Sequence, residues 1–158
     1  MLNRIASLCF FVFTIVCIAP VHAKPMPAPS LTKAIQVSTC AVCKFERYKS
    51  GSKVDYFSGV RTRYKVVRLL NKSSNLSTKP LVGKYIWVQH QFDDGSACIA
   101  PKPWKFKSSM LPAKGELMIL FLTRSNDGLY YTYRGSLGVK PYSKNLQTKI
   151  LRIGKLDQ

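Results

Sequence analysis

The sequence predicts an all-β domain: a small barrel or sandwich of five or six short strands with a short flanking helix. Three observations predict it. Runs rich in β-branched and aromatic residues recur along the chain. Aspartate-glycine pairs at Asp94-Gly95 and Asp127-Gly128 suit turns that need positive φ, and mark two expected hairpins. There is no internal repeat and no sustained strand–helix alternation, so a parallel sheet is not expected.

The chain opens with the three parts of a signal peptide. Arg4 supplies the positive region, Leu8 to Ile18 the apolar one, and Pro20-Val21-His22-Ala23 a boundary of small or modest side chains. The apolar run falls short of the roughly 20 residues needed to cross a bilayer, and Pro20 interrupts it. Cys17 lacks the preceding small residues of a lipoprotein signal. Residues 1–23 are therefore expected to be cleaved, leaving an exported domain, secreted or periplasmic, that begins at Lys24. That domain has 135 residues, with 24 Lys and Arg against 7 Asp and Glu, a net of +17. Such an imbalance attracts polyanions: nucleic acid, anionic headgroups, cell-wall polymers or acidic proteins. The cations are scattered (Lys44, Arg47, Lys49, Lys53, Arg61, Arg63, Lys65, Arg68, Lys72) and form no single block.

Residues 24–39 read as a proline-rich lead-in, with three prolines between Lys24 and Ser30. Ser30 is placed to cap a short helical turn over Leu31 to Ile35. The domain proper is expected over 40–158. Strands are expected at Val54–Val60, Arg63–Leu70, Lys84–His90, Glu116–Thr123 and Gly128–Arg134. The fourth is continuously apolar, as a strand buried on both faces would be. A polar loop from Lys72 to Lys79 follows the second strand, with Asn-x-Ser sequons at Asn71 and Asn75. Ser143 to Ile153 is expected to be an amphipathic helix, with Ser143 as cap, Leu146, Ile150 and Ile153 on one face, and Gly154 as stop.

Read in order, these landmarks resemble the netrin-like module, the OB-fold barrel shared by the tissue inhibitors of metalloproteinases and many secreted relatives. Cys40 and Cys43 stand for its opening cysteines, and Asp55-Tyr56-Phe57-Ser58-Gly59-Val60 for a strand of the form Asp-x-Phe-x-Gly-x-Val. Tyr64 to Leu70, a loop, and Gly83 to Val88 come next. Cys98, Phe106, Gly115 and Leu117 to Leu122 fill the later places. The resemblance covers about residues 40 to 135 and implies a small OB-like β-barrel, with Cys98 bonded to Cys40 or Cys43 to pin the N-terminal segment. The inhibitors place a cysteine at the mature N-terminus within Cys-x-Cys. Here Cys40 lies 16 residues past Lys24 within Cys-x-x-Cys, so the resemblance carries the barrel and not the inhibitory wedge.

Chemistry is sparse. Cys40-Ala41-Val42-Cys43 has the spacing of a redox dithiol, but that motif normally follows a strand in a βαβ frame, and loop and strand are expected after Cys43. The three cysteines of the mature chain, in an oxidising compartment, imply one disulfide and one unpaired thiol. A metal site drawn from Cys40, Cys43, Cys98 and His90 would lack a second cysteine pair. Asp93-Asp94 reads as turn chemistry, and His90 has no motif that would make it a base. No catalytic residue, metal ligand or cofactor is expected. The clearest binding candidate is Pro101 to Lys107, where Lys102, Lys105 and Lys107 alternate with Trp104 and Phe106 on a loop. Lys102, Trp104, Lys105 and Lys107 are the expected contacts to a partner or polyanion. The expected function is a secreted, non-enzymatic binding module for an extracytoplasmic protein or polyanion, with a membrane surface or nucleic acid as further partners. The alternatives are a nucleic-acid-binding OB-fold protein and a secreted thiol-disulfide oxidoreductase using Cys40 and Cys43.

Overall fold

The computed structural model describes residues 30–49, 53–71, 76, 79–96, 98–126 and 128–156. The expected signal segment 1–23, the lead-in residues 24–29 and the sequon at Asn75 lie outside them.

Ser30 caps the first helix, α1 (Leu31–Val37), by accepting a hydrogen bond from Lys33 N at 3.2 Å. Six strands follow: β1 (Thr39–Tyr48), β2 (Val60–Leu69), β3 (Tyr85–His90), β4 (Leu117–Asn126), β5 (Leu129–Thr132) and β6 (Val139–Pro141). A second helix, α2 (Lys144–Leu156), ends the described chain, with Leu146 N donating to Ser143 Oγ at 3.2 Å. The sheet order β1-β2-β3-β5-β4 closes on itself because β1 pairs with both β2 and β4. The result is an OB-like barrel of five strands, with β6 added along β4. All pairings are antiparallel except β3 with β5, where Val88 lies opposite Tyr130.

Period-two alternation builds two cores from the same strands. Cys43, Phe45, Val60, Tyr64, Val66, Ile86, Val88, Met118, Leu120 and Leu122 fill the barrel. Cys40, Val42, Ile119 and Phe121 face the other way, where Ala34 and Ile35 of α1 and Ile150 of α2 cover them. β4 is thus buried on both faces, which is why its sequence is unbroken apolar. Asn71 locks the joint between α1 and β1. Its Nδ2 donates to Ile35 O at 2.9 Å and Ser38 O at 3.0 Å, and its Oδ1 accepts from Cys40 N. Both amide hydrogens are committed, so a glycan on Asn71 and this fold exclude one another.

Several expectations are corrected. Val54–Gly59 is a turn and not a strand, and Val60 opens β2. Asp55 Oδ1 accepts from Phe57 N at 2.9 Å and Ser58 N at 2.7 Å, and Gly59 takes φ +69°. A Cβ on Gly59 would stand 1.9 Å from His90 O, so the turn packs backbone on backbone against the end of β3. β4 and β5 do form a hairpin, with Asn126 opposite Leu129 and Gly128 at φ +74°, while Asp127 lies outside the described residues. Asp94-Gly95 does not: it turns the long β3–β4 connection, with Asp94 Oδ1 accepting from Ser96 N at 2.9 Å. Gly154 does not end α2, which runs on to Leu156. The disulfide expected between Cys98 and Cys40 or Cys43 is not formed, and all three thiols are free. The pleat of β1 buries Cys43 in the barrel and Cys40 under the helices, while Cys98 is exposed on the β3–β4 connection.

A basic and aromatic face on the barrel

With Val60, Thr62, Tyr64 and Val66 turned inward, β2 presents Arg61, Arg63 and Lys65 outward. Its neighbours are in phase. On the β1 side, Lys65 lies opposite Lys44 and Arg63 opposite Arg47, and Lys49 N donates to Arg61 O at 2.8 Å. On the β3 side, Lys65 lies opposite Tyr85, Arg63 opposite Trp87 and Arg61 opposite Gln89. Trp87 in turn lies opposite Leu129 of β5. The outer face of β1, β2 and β3 therefore carries Lys44, Arg47, Lys49, Arg61, Arg63 and Lys65 beside two aromatic rings.

The arginines rest on those rings. Arg63 Cζ sits 4.2 Å from the Tyr85 centroid and Arg47 Cζ 5.9 Å from that of Trp87. A guanidinium lying over a ring keeps its N–H edge free for a carboxylate, phosphate or sulfate. Arg47, Tyr48, Lys49, Arg61, Trp87, Gly128 and Leu129 line a groove of about 410 Å³ on this face. Among the described residues no carboxylate lines it. Glu46 lines a second groove further along, together with Lys44 and Lys65.

The face has an energetic signature. Arg47 opposite Arg63 and Lys44 opposite Lys65 are like charges across a strand pair, an arrangement that is destabilising. A bound anion would relieve both.

The expected site residues lie beside this face. Lys102, Lys105 and Lys107 are exposed, and Trp104 and Phe106 are turned inward. Trp104 packs edge-on to Tyr56 at 5.6 Å and tilted on Phe92 at 5.3 Å. Phe106 packs on Phe92 and Tyr48, both at 5.7 Å. These rings cover one mouth of the barrel, and Trp104 stacks on protein. Tyr48 joins the two regions, since it also lines the groove.

The cysteine pair has no dithiol geometry. Three residues apart on a strand, Cys40 and Cys43 point to opposite faces. Burial pushes the Cys40 thiol up to about 12, over the lowering effect of Ser38 and Asn71, and burial raises Cys43 as well. A redox nucleophile needs the reverse. The amide of Cys40 is held by Asn71 inside a strand. Among the described residues no three His, Cys, Asp or Glu side chains converge as metal ligands. His90 faces inward near the barrel mouth, its ring 5.3 Å from that of Phe92.

No family model matches the chain, and no curated protein matches its sequence. The face went unseen in the sequence although part of its signal was present: Arg61, Arg63 and Lys65 recur at every second residue, as do Tyr85 and Trp87.

Proposed function

We propose that this protein is an exported, non-enzymatic binding module of netrin-like type that holds a polyanion along the outer face of β1, β2 and β3. The observation that carries the reading is the in-register alignment of Arg47 with Arg63 and Lys44 with Lys65 beside a groove that Arg47, Lys49 and Arg61 line. The strands 2–3 face is also where OB barrels commonly take ligands. Lys102, Lys105 and Lys107 form a second basic strip on the adjoining loop.

Binding to heparin and to single-stranded DNA across a salt series tests the reading. Arg61→Ala/Arg63→Ala should weaken both and flatten the single-strand salt slope by about 0.7 per lost phosphate contact. Lys102→Ala/Lys105→Ala/Lys107→Ala should have the smaller effect. Equal salt slopes for the arginine variant and the wild type would refute a site on this face.

A second reading, single-stranded nucleic acid, is favoured by the outward rings of Tyr85 and Trp87. A base stacking on either ring gains about 1–3 kcal/mol, enough to displace a guanidinium held by about 0.5–1 kcal/mol. Trp87→Ala separates the two readings. Loss of DNA binding with heparin binding intact supports the nucleic-acid reading, and parallel behaviour supports the general polyanion.

A further inference from the structure

We propose that the turn between β2 and β3 docks the protein on bilayers containing anionic phospholipid. Leu81 is 64% exposed and Val82 58%, with Tyr85 at 47% and Val67 at 45% beside them. The turn holds these side chains out by its own backbone. Lys84 N donates to Leu81 O at 3.1 Å, Gly83 takes φ +81°, and Gly83 N and Lys84 O bond to Val66 at 2.8 and 2.9 Å. This is a β-turn with glycine at its third position, tied to the end of a barrel strand. Its apolar tip is already ordered, so insertion carries little further entropic cost.

The surroundings choose the occupant. Lys79 flanks the tip on one side, and Lys44 and Lys65 line the shallow groove on the other. Among the described residues Glu46 is the single carboxylate lining either groove. The exposed apolar side chains here are few, Leu81, Val82, Tyr85 and Val67, whereas a stable protein interface takes roughly 800 Å² from each partner. A bilayer needs no matching shape, accepts a small apolar wedge and supplies negative charge around it. Leu81 and Val82 lie outside the polyanion groove, while Lys44, Lys65 and Tyr85 are shared with the basic face.

The test uses the purified protein with vesicles of phosphatidylcholine, alone or mixed with phosphatidylglycerol. Wild type should sediment with the mixed vesicles, and Leu81→Ser/Val82→Ser should lower its partitioning about tenfold or more. In Val82→Trp, emission of the new indole should shift to the blue on mixed vesicles and be quenched by lipids brominated along the acyl chain. Both positions are exposed, so circular dichroism should be unchanged in each variant. Equal partitioning of the serine variant and wild type, or unshifted emission from Val82→Trp, would overturn the proposal. So would a concentration-dependent dimer that the serine variant abolishes, unaccompanied by vesicle binding; it would make a second copy the occupant.

Discussion

His90 is a buried side chain whose protonation at acid pH opposes folding. It is buried at the end of β3, its Nδ1 has no hydrogen-bond partner, and burial lowers its pKa from 6.5 to about 4. The folded protein therefore holds a neutral imidazole at pH values where the unfolded chain protonates it. Stability is complete above pH 6.5, falls as pH drops toward 4, and the loss is bounded near about 3 kcal/mol. Asp55 and Asp94 act in a different window. Hydrogen bonds from Ser58 and Ser96 lower their pKa values below 3.8, so their contribution is lost only at more acid pH. Melting temperature should thus decline between pH 6.5 and 4 in the wild type and stay nearly level in His90→Leu. A parallel decline in both proteins would assign the acid sensitivity to other groups.

At the level of strands, binding and stability pull against one another on β2. Arg63 faces Arg47 across one pair and rests on Tyr85 toward the other. Arg63→Thr removes the repulsion and installs a residue that suits a strand. The free variant should melt at the wild-type temperature or slightly above, a change of about 0.5 kcal/mol or less, while its heparin affinity falls. A destabilised variant would mean that the stack on Tyr85 outweighs the repulsion. The same strands show what was legible beforehand. β2, β3, β4, β5 and both helices follow from alternation, β-branched content and capping serines. β1 was hidden because Thr39 to Cys43 are buried on both faces, so no polar–apolar alternation marks its first half. Val54–Val60 has a strand's composition, but Asp55 and Gly59 make a turn whose side-chain hydrogen bonds outweigh propensity. The binding face escaped for a related reason. A register shift between Phe45 and Arg47 re-phases β1 by one residue. Arg47 thereby aligns with Arg63, a pairing that no local pattern encodes.

Across the whole molecule, the two cores share β1 and β4 but are closed differently. The barrel interior is enclosed by strands paired around a ring, whereas the outer core lies under α1 and α2, helices of 7 and 13 residues. Short helices owe most of their stability to tertiary packing, so the outer core should open first, as a sub-global event below full unfolding. The cysteines report on this division. Cys40 is in the outer core, Cys43 in the barrel, and Cys98 on the surface. An aromatic disulfide reagent should modify Cys98 at once in the native protein. In a Cys98→Ser background, the variant retaining Cys40 should label faster than the one retaining Cys43, once each rate is scaled to its fully unfolded control. That scaling matters because burial holds both thiols protonated, and thiolate is the reactive form. Sub-denaturing urea should accelerate Cys43 more steeply than Cys40, since opening the barrel exposes more surface. Identical scaled rates with identical urea slopes would show instead that helices and barrel open together, making the molecule one cooperative unit.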